Sequence, residues 1–257
     1  MKTRFEILKP SIFPDSKIIS GVTKKNLAIF PETGFSISPA KILSVEKVNE
    51  HRKYLAENFG YSNQKELIGH FKFQKQVHED TIEIVNRNTV SFDYLKQGVH
   101  DGMICAESEI FLCVSIADCC AILIYDPINE IISAIHSGWT GTKLKIVPKA
   151  INILKNKFNS NPQDLLVYLS PAASGDRYEV GWEVAQHFPN SIKKSLNEKF
   201  LFDNRNEIKL QLIECGVPPQ NIETSEVCTI SDLDYHSFRR DGNKSGRMAA
   251  FICMKKK

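Results

Sequence analysis

Three residues of this chain, His78, Cys119 and His136, are of types that bind zinc, and each is expected near the end of a strand. His78 lies within Gln76–Asp80, Cys119 follows Asp118 between two apolar segments, and His136 ends another apolar segment. Neutral imidazole and thiolate are preferred zinc ligands, and a catalytic site uses three protein ligands with a fourth position open. These residues match no local zinc-finger spacing, so only the fold could bring them together. The alternative is hydrogen-bonded loop histidines and a cysteine buried as a small hydrophobe.

The residues on either side of Cys119 need their own explanation. Asp118 lies between apolar segments, where a carboxylate is costly unless it is paired. It could hold the second ring nitrogen of a histidine ligand, cap a nearby backbone or meet an arginine, and it is also a candidate catalytic acid–base group. Cys120 follows Cys119 directly. Successive side chains of a strand point to opposite faces, so only one of the two cysteines can face a pocket.

Cationic side chains form a second group of candidates. The segment His236–Met248 contains three arginines, one lysine and two glycines beside an aromatic residue. Arginine forks suit phosphate and carboxylate oxygens, so Arg240 and Arg247 are candidates for anion binding. Arg52 joins them because it lies on the apolar face of a predicted helix, where a solubilising charge is not expected. A charged hairpin tip is the alternative for the segment at His236–Met248.

The elements that must position these residues can be predicted from the apolar pattern. Strands are predicted at Phe5–Leu8, Lys17–Val22, Leu27–Phe30, Phe71–His78, Thr81–Val85, Phe111–Ile116, Ala121–Tyr125, Ile131–Ile135, Leu165–Leu169, Asn221–Val227 and Met248–Cys253. Helices are predicted from Val45 to a stop at Gly60, over Leu144–Phe158 with Pro148 in the first turn, over Glu179–Phe188 and over Asn206–Cys215. Strands and helices mix without a regular βαβ alternation, which predicts an α+β fold with mixed sheets.

The whole chain sets limits on function. Its 257 residues contain no repeat or linker, which predicts a single domain over 1–257. A net charge of +3 is too balanced to indicate nucleic-acid binding. The most apolar stretch, Ile110–Tyr125, is too short to cross a bilayer, so no membrane association is expected. Seven cysteines without framework spacing indicate a reducing compartment. Met1–Ser16 lack a signal-peptide pattern, and we therefore expect a cytoplasmic protein.

A series of short motifs resembles one known family. The motifs are QVHED at Gln76–Asp80, DG at Asp101–Gly102, ADC at Ala117–Cys119 followed by Tyr125–Pro127, HSGW at His136–Trp139, YEVG at Tyr178–Gly181, CGV at Cys215–Val217, CT at Cys228–Thr229 and SFRRDG…SGRM at Ser237–Met248. In this order and spacing they are similar to the laccase-domain family of YfiH-type, multicopper polyphenol oxidase-like proteins. The chain departs from the family at Thr140, where an arginine is common.

The resemblance implies a fold, a metal and an activity. The fold would be mixed β-sheets sandwiched by helices, related to cysteine hydrolases. His78, Cys119 and His136 would bind a catalytic zinc, and copper has also been associated with the family. The family fixes Cys119, rather than Cys120, as the pocket residue. The implied substrates are phosphate and the purine nucleosides adenosine, inosine and 5′-methylthioadenosine. Deamination of adenosine is also implied.

The two implied reactions make different demands on side chains. Phosphorolysis needs a cationic clamp for phosphate, for which Arg52, Arg240 and Arg247 are the candidates. Deamination needs a water activated by the metal and an acid–base group, for which Asp118 and Glu79 are the candidates.

Other functions remain open from the sequence. Cys119 could be a nucleophile with His136 as its base and no metal, giving an amidase that acts on cell-wall precursors. A copper-dependent phenol oxidase is another alternative, because imidazole suits copper. Three ligands, however, cannot build the several-copper cluster of true laccases. A fourth protein ligand would instead indicate a non-catalytic zinc-binding module.

Overall fold

The computed structural model describes residues 4–41, 43–62, 69–90, 95, 97–195 and 199–256. Within these ranges the helices are α1 (Val45–Glu57), α2 (Trp139–Lys143), α3 (Ile146–Phe158), α4 (Trp182–Ala185), α5 (Asn204–Glu214) and α6 (Phe238–Asp241). The strands are β1 (Ile7–Leu8), β2 (Ile18–Thr23), β3 (Phe71–Lys75), β4 (Ile82–Val85), β5 (Gly98–Val99), β6 (Gly102–Cys105), β7 (Phe111–Ile116), β8 (Cys120–Asp126), β9 (Ile131–Ser137), β10 (Leu166–Leu169), β11 (Glu179–Val180), β12 (Ile192–Lys194), β13 (Phe200–Phe202), β14 (Ile222–Thr224) and β15 (Met248–Met254).

The strands form two six-stranded sheets and one three-stranded sheet. The first sheet has the order β1-β2-β15-β7-β3-β5, the second has the order β14-β10-β8-β9-β6-β4, and the small sheet has the order β11-β13-β12. In the first sheet β7 pairs antiparallel with β15 and parallel with β3. In the second sheet β6 pairs antiparallel with β9 and parallel with β4. Both large sheets are therefore mixed, as predicted for an α+β fold.

The two large sheets face each other, and the alternation of side chains along their strands separates three apolar layers. Leu112 of β7 and Leu123 of β8 point into the core between the sheets. Phe111, one residue away on β7, points into an outer layer that includes residues of α1. Ile122 of β8 points into the other outer layer, against α3 and α5. Helices cover the outer face of each large sheet, and the predicted sandwich of sheets between helices is confirmed.

Burial on both faces explains the apolar stretch at Ile110–Tyr125. A strand that is covered on both faces carries a continuous apolar run rather than an alternating one. This stretch forms β7 and most of β8, and both strands contribute side chains to the core between the sheets. Within the described part of the chain, no helix has both the length and the apolar character needed to cross a membrane.

Several predicted elements are confirmed in position. The strand prediction Phe111–Ile116 has the same bounds as β7, and Pro148 lies in the first turn of α3. Helix α1 begins at Val45 as predicted, because the Ser44 side chain caps it by accepting a hydrogen bond from Lys47 N. It ends at Glu57, before the left-handed Gly60, whose φ is +88°.

Two predicted elements are wrong. Leu27–Phe30 is a turn rather than a strand, and its last two backbone N–H groups donate to the carbonyl of Asn26. Glu179–Phe188 is not one helix, because it divides at Gly181 into the strand β11 and the short helix α4. Strand β3 also ends at Lys75, before His78 is reached.

Candidate metal-binding active site

The three predicted ligands lie together in the fold. The ligand atoms of His78, Cys119 and His136 all lie within 4.8 Å of one another. The two imidazole rings have centroids 4.9 Å apart and are perpendicular. His136 is buried, Cys119 is half-buried and His78 is exposed, so the cluster is closed on the side of the core and open on one side.

Each ligand is placed by the end of a strand. His136 lies near the end of β9 and pairs across the ladder with Ala121, near the start of β8. Cys119 directly precedes β8, and its neighbour Asp118 has a φ of 82°. His78, in the loop after β3, has a φ of 63°. Such left-handed conformations cost about 1–2 kcal/mol for residues other than glycine, so surrounding contacts must hold both turns.

The contacts that hold His78 and His136 converge on one carboxylate, that of Asp101. The side chain of Asp101 is fully buried. Its Oδ1 accepts from Nδ1 of His136 at 2.8 Å and from the backbone N–H of His78 at 3.1 Å. Its Oδ2 accepts from the backbone N–H groups of Val77 and Glu79 at 3.1 and 3.0 Å. Asp101 therefore fixes the His78 loop and directs Nε2 of His136 toward the cluster.

The ionisation of the cluster follows from these contacts. Burial acts to raise the pKa of the Cys119 thiol, but the charge and hydrogen bond of His136, with further help from His78, lower it to about 6. Burial acts to lower the pKa of His136, but Cys119 and the Asp101 carboxylate raise it to about 9. Without a metal, Cys119 and His136 therefore form a thiolate–imidazolium pair at neutral pH.

A glycine allows this close approach. A Cβ atom on Gly138 would lie 2.8 Å from Sγ of Cys119 and 3.5 Å from Cδ2 of His78. The φ of Gly138 is −80°, which any residue can adopt. The requirement at this position is therefore space, and the glycine of the HSGW motif provides it.

The cluster opens into a pocket of about 360 Å³. This volume lies within the range of small-molecule sites, about 300–1,000 Å³. The lining combines the ligand cluster with polar, cationic and aromatic side chains, namely Ser38, Gln74, Lys75, Gln76, His78, Ser115, Ala117, Cys119, His136, Phe238 and Arg247. The site is therefore large enough for a small organic substrate and carries positive charge.

Of the three predicted anion-binding arginines, Arg247 lines this pocket. Its Nη1 donates to the carbonyls of Ser245 and Gly246 at 2.8 and 2.9 Å. Its guanidinium carbon lies 5.3 Å from the ring centroid of Phe238. In the part of the chain that the structure describes, its Nε and Nη2 make no hydrogen bond to the protein, so both can donate to a ligand.

Arg52 is held in the core instead. It is 1% exposed, and its Nε and Nη2 donate to the carbonyl of Ile37 at 3.0 and 2.8 Å. Nη2 also donates to Gln97, and the guanidinium lies 4.0 Å from the centroid of Phe73. Arg52 does not line the pocket.

Arg240 also lies away from the pocket lining, where it stabilises a loop. Its Nη1 donates to the carbonyls of Thr229 and Ile230 at 2.9 and 3.1 Å, and its Nη2 donates to that of Tyr235 at 2.8 Å. The neighbouring Asp241 accepts from Nε and Nη2. The structure therefore brings one of the three arginines, and not the other two, to the ligand cluster.

Asp118 caps a nearby backbone, that of Arg239 in α6. Its Oδ2 accepts from the backbone N–H of Arg239 at 2.6 Å, and its Oδ1 accepts from the hydroxyl of Thr229 at 2.7 Å. The residue that holds the ring nitrogen of His136 is Asp101. Cys120 is fully buried in the helix-side core, so adjacent cysteines do point to opposite faces.

Sequence reasoning missed four residues of the site. Asp101 and Gly138 are visible in the sequence only as parts of short DG and HSGW motifs, whose contacts depend on the fold. Lys75 and Phe238 line the pocket but have no distinctive local pattern. Lys75 resembles any other lysine at the end of a strand, and Phe238 lies next to arginines that are stronger candidates by residue type.

Comparison with known proteins identifies the family. A family model described as multi-copper polyphenol oxidoreductase laccase matches residues 34–255. The chain belongs to this family. The purine nucleoside phosphorylase YlmD of Bacillus subtilis is 27% identical over 257 residues, which cover 94% of this chain and 90% of the relative. A purine nucleoside phosphorylase of Clostridium acetobutylicum is 32% identical over 221 residues, which cover 83% of this chain and 86% of the relative.

Solved structures of family relatives have the same fold. The crystal structure of YlmD from Geobacillus stearothermophilus matches with a TM-score of 0.87 at 23% identity, covering 100% of this chain and 98% of the other. That of the hypothetical protein YfiH from Bacillus licheniformis matches with a TM-score of 0.85 at 25% identity, covering 93% of each chain. The family and the fold predicted from the motifs are both confirmed.

Proposed function

We propose that this chain is a zinc-dependent purine nucleoside phosphorylase that acts on adenosine, inosine and 5′-methylthioadenosine. The observation that carries the proposal is the arrangement of His78, Cys119, His136 and Arg247 around one pocket. The names of the curated relatives support the same reaction class, in which phosphate displaces the base from the sugar.

The donor set fits zinc. Two imidazoles and one thiol are preferred ligands of this ion, and the bond from His136 Nδ1 to Asp101 leaves Nε2 for a metal. As far as the described residues go, no fourth histidine, cysteine or carboxylate joins the group, so a coordination position remains for substrate. This favours a catalytic site over a closed zinc-binding module. Bound zinc would supply a Lewis acid that stabilises negative charge on a substrate oxygen.

The cationic side chains of the pocket would hold the phosphate. Phosphorolysis requires phosphate to be fixed beside C1′ of the sugar while the glycosidic bond breaks, which calls for preorganised donors. Arg247 offers Nε and Nη2, and the exposed Lys75 lines the same pocket. We assign phosphate binding to these two residues. Arg52 and Arg240 use their donors on carbonyl oxygens of the protein.

Adenosine deamination stays a secondary prediction. It requires an acid–base group near the reacting carbon. Among the described residues that line the pocket there is no aspartate or glutamate. The carboxylate of Asp118 accepts from Thr229 and Arg239, and Glu79 does not line the pocket. Phosphorolysis is therefore the function that the pocket supports better.

A metal-independent cysteine hydrolase is the alternative with its own support. The thiolate of Cys119 lies beside the imidazolium of His136, which Asp101 orients, and this is the arrangement of an activated nucleophile. In an amidase of this kind the Cys119 thiolate would attack an amide carbonyl carbon, the C–N bond would break as His136 protonates the departing amine, and water would hydrolyse the acyl-cysteine. The copper-dependent phenol oxidase has less support, since the cluster offers ligands for one metal ion.

The deciding experiment combines metal analysis with a phosphate-dependence assay. The purified protein is expected to contain close to one zinc per chain and to release hypoxanthine from inosine only when phosphate is added. Base release without phosphate would contradict phosphorolysis. A Cys119→Ala variant that kept its zinc but lost activity would favour the nucleophile. Absence of turnover of both inosine and adenosine would end the nucleoside assignment.

A further inference from the structure

Phe238 is an exposed aromatic side chain at the metal pocket. It is the first residue of α6, its side chain is 46% exposed, and it lines the pocket with His78 and Cys119. Single exposed apolar residues are common on protein surfaces and need no explanation by themselves. Phe238 differs because its neighbours fix its position beside the ligand cluster.

The backbone of Phe238 is tied to the turn that carries Cys119. Helix α6 has four residues, too few to be stable in isolation, so tertiary contacts must hold it. The Ser237 hydroxyl caps it by accepting from the backbone N–H of Arg240 at 3.1 Å. The Asp118 carboxylate accepts from the backbone N–H of Arg239 at 2.6 Å. Because Asp118 directly precedes Cys119, one turn positions both the metal ligand and the aromatic residue.

The two arginines that follow Phe238 attach α6 to two other segments of the chain. Arg239 donates from Nη1 to the carbonyl of Glu179 at 2.7 Å, and its guanidinium carbon lies 4.9 Å from the ring centroid of Tyr178. Arg240 donates to carbonyls in the loop that precedes α6, including that of Tyr235 at 2.8 Å. The arginines next to Phe238 therefore hold the helix in place, and Phe238 itself stays 46% exposed.

The surroundings of the ring indicate the ligand that it suits. The guanidinium carbon of Arg247 lies over the Phe238 ring, 5.3 Å from its centroid, which places a cation on one face of the aromatic group. A purine nucleoside has the matching parts, namely a planar heteroaromatic ring and a sugar at which phosphate reacts. Stacking on an aromatic side chain is tolerant of base identity because every base has a π-face.

We propose that the face of Phe238 opposite Arg247 is the stacking platform for the purine ring, with Arg247 on the phosphate side. This inference rests on the proposed nucleoside function and adds the residue that binds the base. It is also compatible with the proposed set of adenosine and inosine, because stacking would not distinguish an amino from an oxo substituent at C6.

The test is equilibrium binding of two ligands to zinc-loaded protein. Inosine contains the base, and ribose 1-phosphate lacks it. Phe238→Leu keeps apolar bulk beside Arg247 but removes the aromatic face, and it should weaken inosine binding roughly 5-fold or more. Its affinity for ribose 1-phosphate should stay within about twofold, as expected if the loss is specific to the base. Phe238→Tyr should restore inosine binding.

Trp182→Ala is the matched control, because Trp182 is a 61% exposed aromatic residue outside the pocket lining. It should leave both affinities unchanged. Equal inosine affinity in Phe238→Leu, or an equal loss for both ligands, would overturn the stacking role. Zinc content and the melting temperature establish that each variant is folded and loaded.

Binding and turnover separate this inference from the function on which it rests. If the wild type bound inosine through Phe238 but did not phosphorolyse it, the phosphorylase proposal would fail and the stacking role would stand. If the wild type phosphorolysed inosine and Phe238→Leu bound it normally, the stacking role alone would fail. A wild type that bound no nucleoside would contradict both.

Discussion

The Asp101 carboxylate accepts a hydrogen bond from Nδ1 of His136 at 2.8 Å while it also holds the backbone of the loop that carries His78. One buried side chain therefore determines the positions of two of the three candidate metal ligands. It also holds the proton of His136 at Nδ1, so that Nε2 faces Cys119 and the pocket. Asp101 does not line the pocket, and its role is to position the ligands.

Replacement of Asp101 should weaken metal binding more than it weakens the fold. In Asp101→Asn the amide can still accept from His136, but its NH2 group cannot accept from the backbone N–H groups of Val77 and Glu79. Loss of such a partner of a histidine ligand typically costs roughly 10- to 100-fold in metal affinity. Competition with a chromogenic zinc chelator measures this change.

Asp126→Asn is the matched control for Asp101→Asn. Asp126 is a buried carboxylate that accepts from the backbone N–H groups of Ile128 and Asn129, away from the pocket lining. Its replacement should lower the melting temperature and leave zinc affinity within about twofold. Equal zinc affinities in wild type and Asp101→Asn would remove the positioning role.

A methyl group at Gly138 should disturb the same cluster by steric means. In Gly138→Ala the new Cβ would lie 2.8 Å from Sγ of Cys119, so the thiol must move. The backbone conformation is acceptable for alanine, and the main effect should therefore be on zinc affinity, with a loss of roughly tenfold or more. Gly69→Ala is the control, because among the described residues that are not its chain neighbours a Cβ there would have no atom within 4 Å. Wild-type zinc affinity in Gly138→Ala would show that the cluster can shift at no cost.

The ligand cluster could be predicted from the sequence, but its support could not. Histidine and cysteine at the ends of apolar strands are plausible metal ligands, and the resemblance of their motifs to the family's selects Cys119 over Cys120. Asp101 looks like one of many turn aspartates, because its partners are 22 to 35 positions away in the sequence. The chemistry of arginine is equally suited to phosphate and to backbone carbonyls. Only burial and contacts distinguish Arg52 and Arg240 from Arg247.

Replacement of Arg247 and replacement of Arg240 should have different effects on the KM for phosphate and on stability. Arg247→Ala is expected to raise the KM for phosphate by roughly tenfold or more, because it removes a charged donor from the pocket. Zinc content should be unchanged. Arg240→Ala should instead destabilise the fold by about 2–3 kcal/mol, since several carbonyls lose a charged partner. Initial rates against phosphate and urea unfolding of both variants provide the comparison. A raised phosphate KM in Arg240→Ala at unchanged stability would reverse the assignment.

The stability of the protein should decrease as the pH falls below about 6.5, in part because of His236. This histidine is 2% exposed, and its Nε2 donates to the carbonyl of Phe35 at 2.9 Å. Burial, opposed by the Phe35 carbonyl and assisted by the charges of Lys25 and Arg247, lowers its pKa to about 4. The unfolded chain, with a histidine pKa of about 6.5, therefore binds more protons between these two values. Stability from this residue is present above about pH 6.5 and declines toward pH 4, by up to about 3 kcal/mol.

His236→Gln tests this pH dependence, because glutamine can donate to the Phe35 carbonyl but does not titrate. The variant should show a shallower decline in the free energy of unfolding between about pH 6.5 and pH 4.5 than the wild type, in urea titrations at constant zinc. His187→Gln, at an exposed position, should follow the wild type. Parallel curves of unfolding free energy against pH for wild type and His236→Gln would contradict this prediction. They would mean that His236 takes up its proton as readily in the folded state as in the unfolded chain.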